Sequence, residues 1–150
     1  MDAVARGLVV YRQRGNFDCA LATLATALKR DYNALWPEEF CQRVEANGGC
    51  YGELAKELWT TIGFVRGLDF FETVVHVKFS HPAFIRAYLE NFGAARVILQ
   101  VPSLNDDGKS HAILYWKGVL YDPSNRKRYE TIADLTKIEW VTVFDEKRVP

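Results

Sequence analysis

The sequence predicts an α+β fold, in which a helical first part is followed by a mostly β second part. Residues 19–30 place apolar side chains at the helical spacing i, i+3, i+4 and i+7. Short apolar runs bounded by turn residues follow from residue 96 onward, and such runs are typical of strands. Because segregated helices and strands are typical of α+β folds, we expect the 19–30 helix to pack against an antiparallel sheet from the second half.

The first half of the chain is predicted to contain one short strand and three helices. Asp18 is a favourable N-cap for the helix that follows it, and Pro37 suits a helical first turn. We expect a strand at 7–12 and then a turn-rich loop at 13–18. The first helix is expected at 19–30, and the second begins at Pro37 and stops at 47–49. The third is expected at about 52–62, with Gly63 as its stop.

The second half is predicted to contain five strands and one helix. Ser80 as a cap and Pro82 in the first turn favour a helix that ends at Gly93. The expected strands lie near 70–79 and at 96–101, 110–116, 119–122 and 139–144, and the last 25 residues complete the sheet.

Composition is typical of a globular protein with one domain over residues 1–150. The chain is 49% hydrophobic, and its 19 basic and 19 acidic side chains give no net charge. Zero net charge argues against a nucleic-acid partner, and no uncharged apolar run reaches the roughly 18 residues of a membrane helix. We recognise no signal peptide, so the three cysteines are expected to be thiols in the cytoplasm.

Cys19 is the most informative position, because it is predicted to be the first residue of the 19–30 helix. Backbone N–H groups and the helix dipole stabilise a thiolate at such a position, which makes the sulfur nucleophilic. A buried structural cysteine is the other interpretation, and it is the one we adopt for Cys41 and Cys50. No pattern in the sequence predicts a metal or a cofactor.

A nucleophilic cysteine needs a base, and His111 in the segment 110–122 is the best candidate. The segment is predicted to form a hairpin that turns at 117–118, so that Ile113 opposes Asp122. His111 then lies diagonally across from Asp122, within side-chain reach, and Asp122 can orient the imidazole. A three-residue loop would put Asp122 on the other face, and a strand histidine near a turn-forming Asp is the alternative.

Gln13 precedes Cys19 by six residues and is the candidate oxyanion donor. Acyl transfer needs a backbone N–H at a helix N-terminus and a second donor, such as a side-chain amide. A tight loop containing Gly15 would bring the Gln13 amide beside the Cys19 N–H.

This pattern resembles the papain-like cysteine peptidases, and among them it is most similar to the bacteriocin-processing (double-glycine leader) peptidase domains. The resemblance covers about residues 10–125 and is carried by Gln13-x5-Cys19, Phe17-Asp-Cys-Ala-Leu-Ala, Ser110-His-Ala-Ile-Leu and Tyr121-Asp-Pro. It implies a papain-like fold, with Cys19 as nucleophile, His111 as general base and acid, Asp122 as orienter and Gln13 as oxyanion donor. Replacement of Asp122 by Asn is expected to be mild, since an amide oxygen can still orient the ring.

The sequence therefore predicts a stand-alone cysteine peptidase that acts on a peptide or protein substrate. Two alternatives remain open. One is a deamidase or acyl-transferase on the same fold, and the other is a non-catalytic papain-like module that binds a protein partner. The segment 31–95 is expected to line much of the substrate cleft, and the oligomeric state is not predicted.

Overall fold

A computed structural model of the chain describes residues 4–5, 8–58, 69–78 and 82–145. The helices are α1 (Cys19–Leu28), α2 (Tyr32–Leu35), α3 (Glu38–Ala46), α4, described over 53–58, and α5 (Pro82–Glu90), with a 3-10 turn at Ile132–Asp134. The strands are β1 (Val4–Ala5), β2 (Leu8–Val9), β3 (Asp69–Lys78), β4 (Arg96–Pro102), β5 (Ser110–Trp116), β6 (Val119–Tyr121) and β7 (Lys137–Asp145). The α+β class predicted from the sequence is confirmed.

Among the described residues, the main sheet has five strands in the order β3-β7-β4-β5-β6, and every neighbouring pair is antiparallel. The last strand, β7, lies between β3 and β4, so residues near the end of the described chain complete the sheet as expected. Strands β1 and β2 form a separate two-stranded sheet.

Helix α1 is enclosed by protein, since every residue of 21–27 is buried. Hydrogen bonds that involve side chains help to hold it in place. The Thr23 hydroxyl donates to the Ala112 carbonyl of β5 at 3.0 Å, and the Trp36 indole N–H donates to the Leu21 carbonyl at 3.0 Å. The first bond joins α1 to β5 at the residue that follows His111, which sets the distance between the helix and the base.

The sheet carries an apolar cluster on each face, because alternate residues of a strand point to opposite sides. In β4, Ile98 belongs to the cluster formed with α1, whereas Val97 and Leu99 belong to the cluster formed with α5. Each fully buried Leu or Ile contributes about 1.5–3 kcal/mol to folding. The two clusters therefore hold β4 and β5 firmly between two helical layers.

Several predicted boundaries differ from the observed ones. The strand expected at 7–12 is confined to Leu8–Val9, and the 19–30 helix ends at Leu28, where Lys29 adopts a left-handed conformation with φ 55°. Helix α2 was not predicted; Asp31 begins it by accepting bonds from two backbone N–H groups of its first turn. Gly63 and Ser80 lie outside the described residues.

In the described part of the chain, no helix has the length and apolar character required to cross a membrane.

Candidate active site

Cys19 begins α1, as predicted, and its thiol is free and half-buried. The interactions that raise the pKa of His111, near the start of β5, include one with the Cys19 thiol, so the two side chains lie close to each other. The bond between Thr23 and Ala112 lies one helical turn along α1, so the first turn of the helix is fixed beside the base. The cysteine and the histidine that the sequence singled out therefore lie on neighbouring elements, α1 and β5.

The β5–β6 hairpin has the predicted register, in which Trp116 pairs with Val119. Its two turn residues, Lys117 and Gly118, have φ angles of 49° and 82°. Positive φ at both central positions is typical of the type I′ turn, which matches the twist of a two-residue hairpin. The predicted loop length is confirmed, and with it the diagonal placement of His111 and Asp122.

His111 Nε2 lies 2.6 Å from Asp122 Oδ1, and both side chains are buried. The carboxylate is held by the turn that follows it. Oδ1 also accepts a bond from the Ser124 N–H at 2.9 Å, and Oδ2 accepts one from the Tyr129 N–H at 2.8 Å. Asp122 thus both shapes its own turn and orients the imidazole, so the two interpretations weighed from the sequence are compatible.

The surroundings of His111 favour its protonated form. Burial lowers the pKa of His111, but the hydrogen bond to Asp122 and the nearby Cys19 outweigh it and raise the pKa from 6.5 to about 9. Because Nε2 faces Asp122, Nδ1 is the ring nitrogen left for the Cys19 thiol. An imidazolium beside a cysteine stabilises the thiolate, which is the reactive form of the sulfur.

Gln13 is buried, and its backbone is joined to the turn that follows Asp122. Its N–H donates to the Pro123 carbonyl at 2.9 Å. Its side-chain Nε2 donates to the Gly15 carbonyl at 2.5 Å, while Oε1 has no donor among the described residues. One amide hydrogen remains for another acceptor, and the role of Gln13 as oxyanion donor stays a prediction.

The carboxylate of Asp18 does not cap α1, although the sequence predicted that it would. Asp18 occupies the N-cap position, but its side chain makes no capping bond to α1. It turns back and accepts bonds from the Arg14 N–H at 2.7 Å, the Gly15 N–H at 3.0 Å and the Tyr32 hydroxyl at 2.6 Å. Burial, followed by this last bond, raises the pKa of Tyr32. The acid therefore braces the loop before Cys19 and leaves the positive end of the α1 dipole to an anion.

The other two cysteines lie in environments that disfavour a thiolate. Burial, followed by the proximity of Cys19, raises the pKa of Cys50 to about 12. Burial also raises the pKa of Cys41, which is 3% exposed in the core beneath α1. These surroundings favour Cys19 as the reactive thiol and agree with a structural interpretation of the other two.

Sequence reasoning missed three residues that organise the site. Tyr129 and Ser124 donate backbone N–H groups to Asp122, and Arg12 binds backbone carbonyls of the same turn. Every residue except proline has a backbone N–H, so residue type does not reveal which of them will bind Asp122. Arg12 bonds to positions 110 residues or more away in the sequence. The adjacency of Arg12 to Gln13 was the one local hint.

Within the described ranges, no three or more His, Cys, Asp or Glu side chains are grouped so that they could hold a metal ion. In comparisons with known proteins, no protein-family model, no curated protein and no solved structure matches the chain.

Proposed function

We propose that the protein is a papain-like cysteine peptidase that cleaves a peptide or isopeptide bond. One observation carries the proposal: the His111 imidazole is hydrogen-bonded to Asp122, and it lies close to the Cys19 thiol at the start of α1. A nucleophile, a base and an orienting group in that order are the elements of thiol-dependent acyl transfer. Because its pKa is raised, His111 is protonated near neutral pH and can donate the proton that a leaving amine requires.

In the acylation step, Cys19 Sγ attacks the carbonyl carbon of the scissile amide, and the carbonyl π electrons move to oxygen. The backbone N–H groups at the start of α1 receive that oxyanion, with the remaining amide hydrogen of Gln13 as the second donor. As the tetrahedral intermediate collapses, His111 donates its proton to the amide nitrogen. The C–N bond breaks, the amine leaves, and a thioester to Cys19 remains.

In the deacylation step, neutral His111 removes a proton from water, and the oxygen attacks the thioester carbon. The C–S bond breaks, the carboxylic acid product leaves, and the thiolate and imidazolium are restored. Asp122 stabilises the imidazolium in both steps and keeps the ring in one orientation, while its own protonation does not change.

The test is digestion of a peptide library by the wild-type protein and by Cys19→Ala, with mass spectrometry to locate new chain ends. New termini that require Cys19 support the peptidase. Conversion of side-chain amides to acids without chain scission would identify a deamidase, and amide exchange with added amines would identify an acyl-transferase. Each of those two outcomes would replace the proposed reaction.

The binding-module alternative is tested by iodoacetamide. A thiol activated by an imidazolium reacts fast near neutral pH, whereas an ordinary thiol needs alkaline pH. Peptide mapping of the alkylated protein identifies the modified residue, and Cys41 and Cys50 serve as internal controls. Slow, alkaline-dependent labelling of Cys19 together with an inert peptide library would favour a module that binds without cleaving.

A further inference from the structure

Two consecutive residues, Arg12 and Gln13, bind the turn that carries the orienting acid. The Arg12 guanidinium donates through Nη1 to the carbonyl oxygen of Asp122 and, at 3.5 Å, to that of Ser124. The Gln13 N–H donates to the carbonyl oxygen of Pro123 at 2.9 Å. Three successive carbonyls of one turn are thus bound by a single dipeptide.

The contact is reciprocal, because the turn also binds the dipeptide. Asn125 Nδ2 donates to the backbone carbonyl of Gln13 at 3.4 Å. The backbone of Gln13 therefore both donates to the turn and accepts from it, which fixes its direction. Since the side chain of Gln13 starts from this fixed backbone, the position of the candidate oxyanion donor depends on the same contact as the position of Asp122.

We propose that Arg12 is a positioning residue, which holds the Asp122 turn and the Gln13 segment in register so that both act on the same thiol. The proposal rests on the proposed function and names a further residue for that site. A hydrogen bond from a charged donor is roughly twice as strong as one between neutral groups. Arg12 applies such a bond to the backbone of the residue whose carboxylate orients His111, so it acts through Asp122 and not on the reacting atoms.

Arg128 provides a matched control on the same turn. Arg128 is exposed, and its Nε donates to the Ser124 carbonyl at 2.8 Å. Like Arg12, it places a guanidinium on a turn carbonyl, but its Nε bond reaches Ser124 and not Asp122. Removal of Arg128 loosens the far end of the turn, whereas removal of Arg12 loosens the part that carries the acid.

The experiment compares Arg12→Gln, Arg12→Lys and Arg128→Gln with the wild type. Three quantities are measured: the NMR titration of the His111 ring, the pH profile of iodoacetamide labelling at Cys19, and kcat and KM on a cleaved peptide. For Arg12→Gln we expect kcat to fall about 10–100-fold with little change in KM, because small displacements of catalytic groups are costly. The His111 titration should move down from about 9 as its bond to Asp122 loosens.

Arg12→Lys should give intermediate values, since a lysine keeps the charge but lacks the planar guanidinium with its fixed donor directions. Arg128→Gln should leave all three quantities close to wild type. A wild-type His111 titration and labelling profile in Arg12→Gln would overturn the proposal, and so would an equal effect of Arg128→Gln. If Arg12→Gln does not fold, the same criteria apply to Arg12→Lys.

The titration and the labelling profile do not depend on turnover. If the wild type cleaves no peptide, the peptidase proposal fails, yet a His111 titration that moves in Arg12→Gln still supports the positioning role. If the wild type cleaves and Arg12→Gln matches it in all three quantities, the positioning role fails alone.

Discussion

His111 Nε2 and Asp122 Oδ1 lie 2.6 Å apart across the β5–β6 hairpin, and both oxygens of the Asp122 carboxylate accept backbone N–H groups as well. The acid is therefore surrounded by donors. This arrangement suits an anion that must orient an imidazolium. Because each oxygen accepts at least one N–H group, neither oxygen can be replaced by a donor such as an amide NH2 without the loss of a bond.

Asp122→Asn is consequently predicted to be harmful, which changes the expectation from the sequence. If the amide oxygen keeps facing His111 and Ser124, the amide NH2 meets the N–H of Tyr129, which now has no acceptor. A buried donor left without a partner costs about 1–3 kcal/mol. We expect Asp122→Asn to lose that amount in the free energy of unfolding, measured by urea titration, and to lose rate as well.

The comparison with Asp122→Ala separates the two effects. Alanine removes both acceptors and the orienting charge, so it should be slower than Asp122→Asn on a cleaved peptide, while His111→Ala should be the slowest because the base is gone. An Asp122→Asn protein as stable and as fast as the wild type would mean that the three bonds to Asp122 do not need an anion.

Cys19→Ala is predicted to abolish turnover while the free energy of unfolding stays within about 1 kcal/mol of wild type, since the side chain is half-buried and small. Circular dichroism and urea titration check the fold, and hydrolysis of a cleaved peptide checks the rate. Cys41→Ala and Cys50→Ala should keep the rate. Hydrolysis by Cys19→Ala at the wild-type rate would exclude Cys19 as the nucleophile.

The sequence was sufficient where a contact depends on local spacing. The apolar period of 19–30 predicted α1, and the Lys117-Gly118 turn predicted the register that brings His111 to Asp122. It was insufficient where a polar group has a choice of partners. Asp18 has the side chain of a helix cap, but two N–H groups of the loop just before it and the buried hydroxyl of Tyr32 in α2 compete for its carboxylate.

In the sheet, too, pairing between adjacent strands can be predicted from the sequence, and pairing between distant strands cannot. Hairpin β5–β6 follows from adjacency in the chain, whereas β7 pairs with β3 and β4 across long stretches of sequence. No tight turn between strands adjacent in the sequence specifies those two neighbours. The pairing is settled by packing on both faces of the sheet, which becomes defined only when the whole fold forms.

Stability should depend on pH through His111. Its pKa is about 9 in the folded protein against 6.5 for an unperturbed histidine, so the folded state binds the proton more tightly. The resulting stabilisation is complete below pH 6.5 and disappears as the pH rises through about 9. We expect the free energy of unfolding of the wild type, relative to His111→Gln, to fall over that range. A difference that stays constant with pH would contradict the raised pKa.

Gln13→Ala is predicted to separate the oxyanion donor from the activation of the thiol. Hydrolysis should fall roughly 10²–10³-fold if the amide of Gln13 stabilises the tetrahedral intermediate. Alkylation of Cys19 by iodoacetamide forms no oxyanion, so its rate should stay at the wild-type value because the imidazole of His111 is still beside the thiol.

The structure predicts little loss of stability in Gln13→Ala. The variant gives up one side-chain bond, to the Gly15 carbonyl, and also removes the buried Oε1, which has no donor in the described part of the chain. The backbone bond from Gln13 to Pro123 remains and keeps the loop in place. Urea titration serves as the control for folding. Hydrolysis that persists at the wild-type rate would assign oxyanion binding to the backbone N–H groups of α1 alone, whereas a parallel loss of alkylation would show that Gln13 acts on the thiol and not on the intermediate.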